Sequence, residues 1–128
     1  MLKIALSFLL FFIFQPLVLA QQCDPGEFST TGNEPCEPCP IGRYATISGA
    51  TTCMDCPTGT YNPSTGGDSL SACLNCPAGK YNPSLGADEL SDCIDCVPGY
   101  FNATTGAASC LPCDAGTYNP DSGSDSES

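Results

Sequence analysis

The 128-residue chain carries fourteen acidic and three basic residues and no histidine, for a net charge of −11. So negative a surface repels nucleic acid and anionic lipid headgroups, and without histidine neither a Ser-His nor a Cys-His nucleophile can be assembled. Eleven cysteines, thirteen glycines and twelve prolines stand beside few large aliphatic residues after residue 20, too little for one sizeable core, so cross-links must hold the chain.

Met1–Ala20 differs from everything after it. Lys3 gives a positive start, Ile4–Phe14 is an almost unbroken apolar run, and Val18-Leu19-Ala20 is a small-residue exit. This predicts a secretory signal peptide, helical, cut between Ala20 and Gln21. Gln15 and Pro16 interrupt the run short of the roughly 20 apolar residues a spanning helix needs. Residues 21–128 then form the mature segment, with only Arg43 and Lys80 against fourteen acidic residues, a net of −12. A leader also places the cysteines in an oxidising compartment.

After the leader one unit recurs six times. It opens at Cys23, Cys39, Cys56, Cys76, Cys96 and Cys113. A glycine follows three places later and an aromatic ring (Phe28, Tyr44, Tyr61, Tyr81, Phe101, Tyr118) five places later. A second glycine lies ten places after the opening in five copies; in the first, Gly32 is one place early. In the third copy, Cys56-Pro57-Thr58-Gly59 predicts a turn with proline second and glycine fourth. Thr60-Tyr61 predicts a very short strand, and Asn62–Gly66 a second turn. Tyr61 and Leu70 are too little to hold such a loop shut. The rings' fixed offset predicts that each covers its own disulfide.

From Cys36 the cysteines come in doublets, Cys36/Cys39, Cys53/Cys56, Cys73/Cys76, Cys93/Cys96 and Cys110/Cys113. The simplest pairing closes each loop on itself: Cys23–Cys36, Cys39–Cys53, Cys56–Cys73, Cys76–Cys93 and Cys96–Cys110. Each such loop stabilises by roughly 3 kcal/mol through chain entropy. The expected fold is small and disulfide-rich: an elongated tandem array of six cysteine-stapled loops, with minimal β-hairpin structure and no long helix beyond the leader. It is expected to behave as a row of beads. Cys113 is left unpaired. Asp125 marks the last copy as the longer type, whose closing cysteine would fall two residues past Ser128, which predicts a longer gene product cut within a repeat.

Two C-x-x-C doublets at this spacing also fit a four-thiolate zinc site, the minority reading here. Asp88, Glu89, Asp92 and Asp95 are the densest acidic cluster, and Asp121, Asp125 and Glu127 a second; neither has EF-hand spacing, so solvated acidic faces are expected rather than even weak divalent-cation sites. No cofactor and no catalytic residue is expected, and the chain is not an enzyme. Asn62-Pro63-Ser64 and Asn82-Pro83-Ser84 carry the proline that forbids N-glycosylation. Asn102-Ala103-Thr104 is a valid acceptor, expected on an exposed turn and glycosylated.

The pattern C-P-x-G-x-Y, glycine, then C-x-x-C resembles the ephrin-receptor-like cysteine-rich repeats of the growth-factor-receptor cysteine-rich group. It is also similar to tumour-necrosis-factor-receptor modules and to cysteine-rich protist surface antigens. The resemblance spans Cys23 to Ser128. Asp24 and Asp114 replace the proline after the cysteine, and Val97 shifts Pro98 by one place. The resemblance implies an extracellular module used as a spacer or binding surface, with a protein partner; no kinase segment is present, so neither kinase activity nor ephrin binding is implied. It also keeps open an interleaved pairing, Cys36–Cys53 with Cys39–Cys56. The resulting expectation is a cell-surface ectodomain acting as stalk or recognition surface, attached to the membrane through a segment beyond Ser128. The alternative is a secreted matrix protein.

Overall fold

The structure, a computed structural model, describes residues 20–127. The expected leader and its expected helix, over residues 1–20, therefore lie outside the described residues but for Ala20.

Five bridges run in tandem: Cys23–Cys36, Cys39–Cys53, Cys56–Cys73, Cys76–Cys93 and Cys96–Cys110. Each of the first five copies is thus closed on itself, and no interleaved pair forms among these ten cysteines. Within each of the first five copies a two-residue strand meets the two residues between the next doublet's cysteines. Glu27–Phe28 (β1) pairs with Glu37–Pro38 (β2), and Arg43–Tyr44 (β3) with Met54–Asp55 (β4). Thr60–Tyr61 (β5) pairs with Leu74–Asn75 (β6), and Lys80–Tyr81 (β7) with Ile94–Asp95 (β8). Tyr100–Phe101 (β9) pairs with Leu111–Pro112 (β10). All five ribbons are antiparallel and separate. The ribbon is this short because its two ends are already fixed, by a turn on one side and the bridge on the other. In the two longer copies the extra segment forms a single 3-10 turn, Leu70–Ala72 and Leu90–Asp92, which the sequence did not indicate.

The first turn falls one residue later than expected. Thr60 N–H donates to Pro57 O at 3.2 Å, so the turn is Pro57–Thr60 and not Cys56–Gly59. Proline is its first residue and Gly59, at φ +79°, its third, the left-handed place that a type II turn reserves for glycine. This explains why proline can be exchanged. The first position does not depend on proline: Glu27 N–H donates to Asp24 O, and Thr117 N–H to Asp114 O, both at 3.0 Å. In the fifth copy Val97 is first and Pro98 second, with Tyr100 N–H donating to Val97 O at 3.0 Å. The substitutions leave the turn intact.

Sulfur and amide, not hydrocarbon, fill the interior. The opening cysteines Cys23, Cys39, Cys56, Cys76 and Cys96 are fully buried, and with them Asn62, Asn82, Asn102 and Asn119. Phe28 packs against the cluster of Cys39, Ala45, Ala50 and Cys53, which is the bridge of the following copy rather than its own. The expected capping of its own disulfide is corrected there: the ring points forward along the array and joins two copies.

Neighbouring copies are tied by backbone bonds repeated in register. The first glycine of one copy donates to the residue after the ring of the next: Gly42 N–H to Asn62 O, Gly59 to Asn82 O, Gly79 to Asn102 O, at 2.7–2.8 Å. The second glycine donates back to the preceding opening cysteine, as Gly66 to Cys39 O and Gly86 to Cys56 O. Contact reaches two copies away as well. A Cβ placed on Gly59 would lie 2.0 Å from Gly106 O, and one on Gly42 2.2 Å from Gly86 O. The copies are therefore not separate beads but an interlocked array, with backbone against backbone where only glycine leaves room.

Candidate interaction surface

Because facing residues in a ribbon point the same way, the second, third and fourth ribbons each have an apolar face and a polar one. Tyr44 faces Met54, Tyr61 faces Leu74, Tyr81 faces Ile94 and Phe101 faces Leu111; in the first copy Phe28 faces Glu37. On the other face Arg43 meets Asp55 and Lys80 meets Asp95. Arg43 Nε lies 2.8 Å from Asp55 Oδ1, and Lys80 Nζ 2.5 Å from Asp95 Oδ1. Exposed pairs like these stabilise by about 1 kcal/mol at most. Their electrostatic consequence is larger. Both cations of the described residues are engaged, so twelve carboxylates have no basic partner among them.

Every Leu, Ile, Val and Met among residues 20–127 is 43–65% exposed. None of them is needed for the interior, which the cysteines and asparagines already fill.

The carboxylates of Asp88, Glu89 and Asp92 lie within 4.8 Å of one another. Asp92 Oδ2 accepts the backbone N–H of Asp88 at 3.0 Å and of Glu89 at 3.2 Å, capping the 3-10 turn. The fourth member of that sequence cluster, Asp95, points instead to Lys80. Its role there is structural. Ten of the eleven sulfurs are in bridges, leaving the half-buried Cys113 thiol as the free one among the described residues, so no four-thiolate set exists for zinc. Among the described residues no helix is long and apolar enough to cross a membrane.

Asn102 is not where the sequence put it. Its turn is exposed, but the side chain is only 4% exposed, with Nδ2 donating to Lys80 O. The same position does the same thing in other copies. Asn62 Nδ2 donates to Arg43 O and Asn82 Nδ2 to Thr60 O, both at 3.1 Å, and Asn119 Nδ2 to Tyr100 O at 3.3 Å. Each Oδ1 meanwhile accepts the N–H two residues on, from Ser64, Ser84, Thr104 and Asp121. These asparagines clip the third to sixth copies each to the one before it. Sequence reasoning missed them although the signal was there, since all four sit six places after an opening cysteine.

Comparison with known proteins agrees with this geometry. The pattern of the tyrosine-protein kinase ephrin type A/B receptor-like family matches residues 26–73, 48–93 and 86–128. The human signal peptide, CUB and EGF-like domain-containing protein 3 is 49% identical over 35 residues, covering 27% of this chain and 4% of that protein. The chain thus spans a small fraction of this relative's length. Tandem loop-closing bridges, the C-x-x-C doublets and matches over residues 26–128 together establish that the chain belongs to the ephrin type A/B receptor-like family of cysteine-rich repeats.

Proposed function

We propose that residues 21–128, freed of a leader over 1–20, are part of the ectodomain of a cell-surface protein, serving as a stalk that also presents a protein-recognition surface. The observation that carries this is the register of bonds between copies. Every copy is fixed to its neighbour by backbone bonds, the third to sixth also by asparagine clips, and Gly59 meets Gly106 two copies on, which resists bending better than flexible linkers would. Meanwhile the aliphatic side chains stay outside. A spacer that only held distance would have no use for them. With no histidine and no enclosed titratable cluster, the region binds and displays rather than catalyses. Nucleic acid is excluded as a partner by charge. Membrane attachment would come from a segment after Ser128.

The test is expression of the full-length gene with an epitope tag inserted after Gln22, followed by antibody labelling of intact cells. Labelling of unpermeabilised cells is the expected result. A tag found only in the medium would favour the secreted matrix protein, and one found only after permeabilisation would end the extracellular reading.

A further inference from the structure

The fifth copy departs from the others at two places that the fold leaves free. After the opening cysteine the other copies have Asp24, Pro40, Pro57, Pro77 and Asp114; before the ring they have Glu27, Arg43, Thr60, Lys80 and Thr117. The fifth alone has Val97 and Tyr100, exposed by 57% and 43%. Neither position needs an apolar group, since the turn between them closes by the same backbone bond with aspartate or proline in the first place. Yet both residues line one depression, together with Tyr81 of the fourth copy and with Ser109 and Cys110. Two exposed apolar exceptions converging on one hollow between copies have no folding role to explain them.

We propose that this depression is a docking pocket for an apolar side chain carried on a cationic protein segment. An open hollow walled by two tyrosines and a valine suits such an anchor, because aromatic rings give large contact area for little lost rotamer freedom. The charge selects the carrier. The segment around the pocket belongs to a chain with twelve carboxylates unmatched by any described cation, and Lys80, the nearest lysine in sequence to Tyr81, is held by Asp95. A second copy of this chain would bring the same negative charge to the contact, and an anionic bilayer would do likewise; both are repelled. The pocket is a refinement of the recognition role proposed above and rests on it.

The test uses the secreted, oxidised product of the whole chain and a fluorescent synthetic peptide of alternating lysine and leucine. Lysine/serine and glutamate/leucine peptides of equal length serve as comparisons. The variant is Val97→Asp with Tyr100→Thr, residues that this chain itself uses at the same places in other copies, so the fold is kept. The lysine/leucine peptide is expected to bind the wild type, and the double variant to bind it about tenfold more weakly. The added carboxylate would by itself tighten a cationic ligand, so weakening reports the pocket. Ile47→Ser, outside the depression, is expected to change nothing. Equal binding by the double variant, or by the lysine/serine peptide, overturns the pocket. Equal binding of the glutamate/leucine peptide overturns the cationic partner, and dimerisation abolished by the double variant would assign the hollow to a second copy instead. A protein displayed on cells that ignores the peptide sinks the pocket alone, whereas a product confined inside cells sinks the functional reading whatever the peptide does.

Discussion

Asn102 Nδ2 donates to the carbonyl of Lys80, 22 residues earlier and one copy back, at 2.9 Å. The amide nitrogen that a glycosyltransferase would modify is thus the one that clips the fifth copy to the fourth. Thr104, the hydroxyl residue of the acceptor triplet, is tied to the same side chain through its Oγ1, 3.1 Å from Asn102 Oδ1. At 4% exposure there is no room for a sugar on this side chain. The secreted, fully oxidised product is therefore expected to carry Asn102 unmodified. Treatment with an N-glycosidase followed by intact-mass measurement checks it, and a mass loss from well-folded material would refute the clip.

Asn82 offers the cleanest stability test of the same device. It is 1% exposed, donates to Thr60 O and accepts from Ser84 N–H. Asn82→Ala removes both bonds and is expected to lower unfolding free energy by about 1–3 kcal/mol. Asn82→Asp keeps the acceptor but sets a carboxylate against the Thr60 carbonyl, so it should cost more than alanine at neutral pH. Denaturant midpoints decide; an aspartate variant as stable as wild type would show that the side chain is not needed to join the copies.

Two glycines with the same backbone separate local strain from packing. Gly59 and Gly99 sit at φ +79° and +85°, and alanine at either pays the left-handed penalty of about 1–2 kcal/mol. Only Gly59 faces another backbone, with Gly106 O 2.0 Å from its would-be Cβ, while Gly99 has nothing within 4 Å. Gly59→Ala is expected to destabilise by clearly more than Gly99→Ala, or to abolish secretion where Gly99→Ala is still exported. Equal losses would mean that copies two apart do not touch.

Removing one bridge distinguishes an interlocked array from a string of beads. Replacing Cys56 and Cys73 by serine opens a loop of 17-residue separation, worth roughly 3 kcal/mol in the chain-entropy account. Hydrogen exchange should then rise not only in the third copy but also in the second, at Gly42 N–H, whose acceptor is Asn62 O, and at Ala45 N–H, which donates to Gly67 O. Faster exchange confined to residues 56–73 would support independent loops.

Free-thiol titration of the denatured, unreduced product is expected to find one reactive cysteine, Cys113. A count of five or more would mean that the tandem bridges had not formed.

The spacing of cysteines, first glycines and rings already contained the module, because turn and bridge geometry are local and covalent: a loop of this length brings its two ends together wherever it sits. The ribbons between ring and doublet follow for the same reason. The turn register did not follow, since proline is acceptable at the first or second place of a turn and only the glycine's left-handed φ marks the third. Asn62 looked like a turn residue and Asn102 like a sugar acceptor, and in part Asn62, Asn82, Asn102 and Asn119 are turn residues, each accepting the N–H two places on. Their other hydrogen bond reaches a carbonyl in a different copy, and no local pattern reveals a partner some twenty residues away.

By itself the sequence determined that sulfur would replace a hydrocarbon interior, because a chain with so few aliphatic residues has no other means of offsetting backbone entropy. Tertiary structure alone decided how one loop sits on the next. It set glycine against glycine two copies apart, buried amides between neighbours, and left every leucine, isoleucine, valine and methionine of the described residues facing outward. Those choices depend on which backbone surfaces come into register when the loops stack, a property of six copies together that no single copy carries.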